Sequence, residues 1–165
     1  MDKNAFELFV EYNQRVNRQM NDIIKTLSED EWNKQFPGYF KSIHELCSHI
    51  FIWDYTWLYR FKGLNNFKSL CDTYFNKKYD FAETLFKNID EYLIKRPELD
   101  DIFVNFAHEI SPDDLDREVK WEDRKGVEAS QKFKIMLTHL LTHETHHRGM
   151  ISLYLELLGK ENDYS

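Results

Sequence analysis

Glycine and proline are scarce in this chain, five and three of 165 residues. That excludes a turn-rich all-β architecture and favours long regular elements. Cysteine occurs twice, at Cys47 and Cys71, without C-x-x-C spacing. A disulfide scaffold and a cysteine-built zinc site are therefore excluded, and both residues read as reduced thiols of a cytoplasmic protein. No stretch approaches 18 uncharged apolar residues, so no membrane-spanning helix is expected. The opening Met1-Asp2-Lys3-Asn4 runs straight into an amphipathic pattern with Glu7 and Glu11. It lacks a basic segment followed by an apolar run, so no signal peptide is expected and the protein should be soluble and intracellular. An excess of positive charge is missing too: 29 acidic against 22 basic residues give a net charge of −7, spread along the chain. Such a surface repels phosphates, and nucleic acid is not an expected partner.

Aromatic side chains are plentiful at 16%, with 13 Phe, 9 Tyr and 4 Trp. They supply a heavy core, and the length suits one domain spanning 1–165 that buries about two-thirds of its unfolded surface. Phe6, Phe9, Asn13, Val16, Met20, Ile23 and Leu27 follow a 3-4 spacing that predicts the buried stripe of a long first helix. Ser28 to Glu31 and Ser42 to Glu45 have the capping-box pattern. The first opens a short turn carrying Trp32; the second opens a helix running to about Lys62, with Leu46, His49 or Ile50, Trp53, Trp57 and Phe61 inward. Between 63 and 78 the pattern is irregular, with a short helix expected around Phe67 to Phe75. Helical spacing resumes from Asp80 to Leu93, and Pro97 is expected to open a separate helix through Ile110. Ser111-Pro112 starts another short turn. Residues 118–122 and 127–129 alternate around Asp123 to Gly126, as in a small hairpin. Ser130 is the expected cap of a final helix whose stripe is Phe133, Met136, Leu140, His143, His147, Ile151, Tyr154 and Leu158, ending at Gly159. Four long amphipathic helices joined by long connections predict an all-α four-helix bundle with short extra helices and one small hairpin.

Four of the seven histidines, His139, His143, His146 and His147, fall within nine residues of the last helix. His143 and His147 are one turn apart on its apolar stripe, where buried imidazoles need a partner for each nitrogen. A shared cation satisfies both more readily than either satisfies the other, and His49, mid-way along the second long helix, is the expected third ligand. Three neutral imidazoles suit a divalent ion, Zn²⁺, Ni²⁺ or Fe²⁺, and leave coordination positions open. His139, His146 and Glu144 are read as residues supporting the ligands from behind, and His44 and His108 as surface or interface residues. Trp53, Trp57 and Tyr154 read as core packing. The string His143-Glu144-Thr145-His146-His147 also matches the H-E-x-x-H pattern of metalloproteases. Those enzymes set the motif beside a sheet that holds the peptide, and this chain offers almost no strand, so proteolysis is set aside.

The segment His139 to Gly149, together with Ser42-Ile43, His49-Ile50, Trp53-Asp54, Trp57-Leu58 and Arg60, resembles the DinB-like superfamily of DNA-damage-inducible and YfiT-like metalloenzymes. The opening Tyr12-Asn13 and Asn17 add a weaker match. The closing motif of that family reads approximately His-x-x-Asn-His-x-x-x-His-Arg-Gly-Gln; here Thr142 and Met150 replace its Asn and Gln. The resemblance implies a four-helix bundle holding nickel or zinc through His49, His143 and His147, often as a homodimer. It further implies, for some members, thiol-dependent transferase or isomerase chemistry with low-molecular-weight thiols such as bacillithiol or mycothiol. The leading expectation is thus a metal-dependent thiol S-transferase acting on small electrophiles. The alternative is a non-catalytic bundle or dimeric interaction module whose metal is structural or absent. No general acid or base stands out in the sequence.

Overall fold

A computed structural model describes residues 2–123 and 125–164. Its four long helices are α1 (Lys3–Ile24), α3 (Ile43–Phe61), α4 (Ile89–Glu109) and α5 (Phe133–Leu157); α2 (Glu29–Trp32) is a single turn. A 3₁₀ turn (Pro112–Asp116) and an antiparallel hairpin, β1 (Glu118–Glu122) with β2 (Glu128–Lys132), fill the connection into α5. Around the bundle α1 packs on α4, α4 on α3, α3 on α5 and α5 on α1. Phe6 against Phe103 and Gln14 bonded to Asp101 set α1 antiparallel to α4. His49 beside His143 and Phe61 against Phe133 set α3 antiparallel to α5. The expected four-helix bundle with one hairpin is the observed fold. No helix among the described residues is long and apolar enough to cross a membrane.

Local chemistry fixes most boundaries. Ser28 accepts from the Glu31 amide while the Glu31 carboxylate accepts from the Ser28 amide, a complete capping box. At Ser42 only half of the box forms: its hydroxyl caps Glu45, but the Glu45 carboxylate reaches one residue further back, to the Lys41 amide. The last helix ends in a Schellman motif, with Gly159 at φ +74°, its amide on the Glu156 carbonyl and the Lys160 amide on the Leu155 carbonyl. Since φ in that region disfavours any side chain with a Cβ, Gly159→Ala should cost about 1 kcal/mol. That corresponds to a fall of roughly 2–4 °C in a thermal melt.

Five expectations are corrected. The buried stripe of α1 is Phe6, Val10, Asn13, Val16, Asn17, Met20, Asn21 and Ile24, rotated from the predicted one, so Phe9 is exposed. No helix forms between Phe67 and Phe75. The amides of Lys68 and Ser69 bond the Glu109 carboxylate instead of helical carbonyls, and the Tyr55 hydroxyl bonds the Tyr74 carbonyl and the Lys77 amide. Residues 80–88 are also non-helical: α4 starts only at Asn88, whose side chain caps Glu91. It then runs unbroken through Pro97. Proline inside a helix costs about 3 kcal/mol. Here Tyr92 and Arg96 before it and Leu99, Asp100, Phe103 and Phe106 after it share one buried face, which offsets that cost. Finally, Ser130 lies in β2 opposite Lys120 and caps nothing. The hairpin feeds directly into α5, where the Arg117 carbonyl accepts the first helical amide, that of Phe133.

Candidate metal centre

Residues 49, 143 and 147 come together because α3 and α5 are neighbours and each turns its histidine into the same seam. One ring nitrogen from each lies within 4.8 Å of the other two. The Nε2 atom of His143 is 3.1 Å from that of His49 and 3.1 Å from that of His147. His147 is buried, while His49 and His143 are half-buried.

Aromatic rings fix its walls. Trp53 stacks on His143 with centroids 4.3 Å apart and planes 15° from parallel. Phe40 lies 4.6 Å from His49 and stands edge-on to His147. Phe40 is itself held by its carbonyl, which accepts from the Tyr154 hydroxyl at 2.6 Å. Gly38 makes that approach possible, since a Cβ there would run into the Tyr154 hydroxyl. Tyr154 and Trp57 are buried as packing residues, but Trp53 is half-buried and forms a wall of the histidine cluster.

The electrostatics suit a cation. Burial pushes His143 down to about 2, with repulsion from His147 and His49 adding to it, and pushes His147 down to about 4. Near neutrality both rings are uncharged and their lone pairs are available, the state a metal requires. The neutral His143 ring cannot satisfy both neighbours at once: its Nε2 atom faces two other nitrogens but carries either one proton or one lone pair. A zinc–nitrogen bond of about 2.0–2.1 Å at tetrahedral angles separates ligand nitrogens by ~3.3 Å, close to the spacing seen. The donor set fits a divalent ion of borderline softness with at least one position left over.

The residues expected behind the ligands sit elsewhere. His139 and His146 are exposed; His139 packs on Trp53 and His146 edge-on to His147, and neither hydrogen-bonds a ring of the cluster. Glu144 is fully buried and turned into the core towards α1 and α4, bonded to Arg148 at 2.9 Å and Asn17 at 3.2 Å. His44 stacks on Trp32, and His108 sits exposed beside Glu7 and Glu11.

Glu144 belongs to a buried ionic cluster that sequence reading missed, formed by Asp54, Arg96, Asp100, Glu144 and Arg148 with Asn13 and Asn17. Arg96 donates to Asp54 at 2.6 Å and to Asp100 at 3.0 Å, and lies 3.9 Å from Glu144. Asn17 bridges Asp100 and Glu144, and Arg148 reaches Asn13 and Asn17. All four long helices contribute. Burial lifts Asp54 well above the usual carboxylate range, with Glu144 adding to it, and raises Asp100 to about 6. Burial acts on Glu144 in the same sense, but Arg96 and Arg148 outweigh it and hold Glu144 below its ordinary value. A signal existed: Arg96 with Asp100 and Glu144 with Arg148 are opposite charges at i, i+4, each set among apolar residues of a core stripe.

A helical bundle with three convergent imidazoles on two helices thus defines the molecule. The sequence model of the DinB family matches residues 1–163, and the chain belongs to that family. It is 25% identical over 160 residues to Protein DinB of Bacillus subtilis strain 168, covering 94% of this chain and 86% of that protein. The fold also matches the crystal structure of a DinB-like protein from Bacillus subtilis, at 17% identity and a TM-score of 0.65, covering 93% of this chain and 94% of that one.

Proposed function

We propose that His49, His143 and His147 hold one divalent metal ion, zinc or nickel, and that the chain is an enzyme transferring a thiol to a small electrophile. The observation that carries this reading is the convergence of three ring nitrogens, one from each histidine, on the seam between α3 and α5, with His143 and His147 held uncharged by burial. Such an ion, when bound, supplies the Lewis acidity that keeps a thiol as thiolate at neutral pH. The protein's own part is placement. Trp53 and Phe40 hold the imidazoles in fixed orientations, and they leave an apolar rim from which a substrate would exclude water. The buried ionic cluster ties α5 to α1 and α4 from within the core.

Cobalt substitution tests the reading. Loading the chain with one equivalent of Co²⁺ and adding a small thiol such as 2-mercaptoethanol should produce a sulfur-to-cobalt charge-transfer band in the near ultraviolet. A tetrahedral cobalt spectrum indifferent to thiol, together with unfolding on chelation, would instead mark the non-catalytic bundle with a structural ion.

A further inference from the structure

A second cleft, of about 730 Å³, opens between the outer face of α3, residues 77–81 and β1. That volume suits a small organic ligand. Its charge is opposite to that of the chain. Five cationic side chains line it against two carboxylates, Glu122 and Asp123, in a protein of net charge −7. Lys62 and Lys120 are already paired with Asp72 and Glu128. Asp123 is engaged too, accepting the amides of Lys125 and Val127 in the hairpin turn.

Arg60, Lys77 and Lys78 are left over. Among the described residues none of their side chains meets a carboxylate. Arg60 is the telling one. It is half-buried, with its guanidinium carbon 4.5 Å from the Trp57 ring centre and 5.9 Å from that of Trp121. Aromatic faces hold the plane but use none of its five donors, and burial works against its charge. A guanidinium fixed in this way is ready for the two parallel hydrogen bonds of an oxyanion. The cleft also adjoins the histidines: Phe81 on its wall packs on Trp53 at 5.2 Å, and Trp53 stacks on His143.

We infer that this cleft binds a small anion, a carboxylate or phosphate carried on a flat apolar body, with Arg60 gripping the oxyanion and Trp121, Tyr79 and Phe81 covering the body. The role of this anion as substrate rests on the histidine reading above; its binding does not. Calorimetric titration with 1-naphthoate, 1-naphthyl phosphate and neutral 1-naphthylmethanol, on the full chain as purified and again after chelation, separates the two. At least one of the anions should saturate one site about tenfold more tightly than the alcohol, with or without metal, and the better anion tells carboxylate from phosphate. Arg60→Met should weaken that anion about tenfold, with Arg60→Lys in between. Lys77→Met/Lys78→Met changes exposed side chains, and keeps the test decisive should Arg60→Met fail to fold. It should weaken the same anion and flatten its salt dependence. Equal affinity for anion and alcohol, full affinity in the Arg60→Met or the double lysine variant, or affinity that follows metal content would each overturn the assignment.

Discussion

His143→Ala should abolish stoichiometric metal binding while leaving the helical content of the protein intact. The Nε2 atom of residue 143 is the common neighbour of the other two, 3.1 Å from each, so its removal leaves two imidazoles and no convergent set. If a histidine-bound zinc ion contributes about 10–16 kcal/mol shared over three ligands, one ligand is worth about 3–5 kcal/mol, or roughly 10²- to 10⁴-fold in affinity. Metal per chain after dialysis should fall from about one to below about a tenth. His49→Ala and His147→Ala should behave alike. His146→Ala, exposed and one residue from a ligand, should stay within about twofold of the parent. Stability must follow by linkage. An ion held at a hundred times its dissociation constant adds about 2.7 kcal/mol, so chelation should lower the melting temperature of the parent and leave that of His143→Ala unmoved. A full complement of metal in His143→Ala, or an equal loss in His146→Ala, would refute the site.

The parts of this molecule that were legible in the sequence are those written in local code. Helical periodicity gave α1, α3, α5 and the part of α4 after Pro97, Ser28 and Glu31 gave α2, and Gly159 gave the end of α5. The histidine grouping was legible for the same reason: residues 143 and 147 must share a helix face, and His49 falls mid-way along the second long helix, on or next to its inward stripe. What stayed hidden depends on partners distant in the chain. The Lys68 and Ser69 amides are satisfied by Glu109, some forty residues away, and no window around Phe67 carries that information. Pro97 was read as a boundary because the local cost of proline is known. The compensating face, from Tyr92 to Phe106, is visible only once Arg96 and Asp100 are counted as buried. That last step fails by habit, since charged residues are assigned to solvent. In this chain Asp54, Arg96, Asp100, Glu144 and Arg148 all lie in the core.

The same cluster sets the largest expected effect on stability. Arg96 faces three carboxylates, at 2.6, 3.0 and 3.9 Å. Arg96→Met keeps the volume but strands the Asp100 carboxylate without its cation in the core and takes the donor from Asp54, which should cost about 3–5 kcal/mol. That is a large part of the total stability of an ordinary domain, so urea unfolding should move to a much lower midpoint. Adding Asp100→Asn to Arg96→Met should recover part of the loss, giving a favourable coupling in a double-mutant cycle. Asp54→Asn should do the opposite of Arg96→Met. Three carboxylates against two guanidiniums leave one negative charge in excess, and Asp54, raised well above its ordinary value and hydrogen-bonded to Glu144, is the group that keeps a proton. A carboxyl whose folded-state value is raised binds more protons folded than unfolded, so its contribution to stability is greatest in acid and declines as pH rises above the ordinary aspartate range. Asparagine supplies a hydrogen to Glu144 and an oxygen to Arg96 with no proton to lose. Asp54→Asn should therefore match the parent near pH 4 and exceed it increasingly towards pH 8 in urea melts taken across that range. A variant less stable than the parent at pH 8 would mean that Asp54 is ionised in the folded protein, and that the bundle carries its excess negative charge uncompensated.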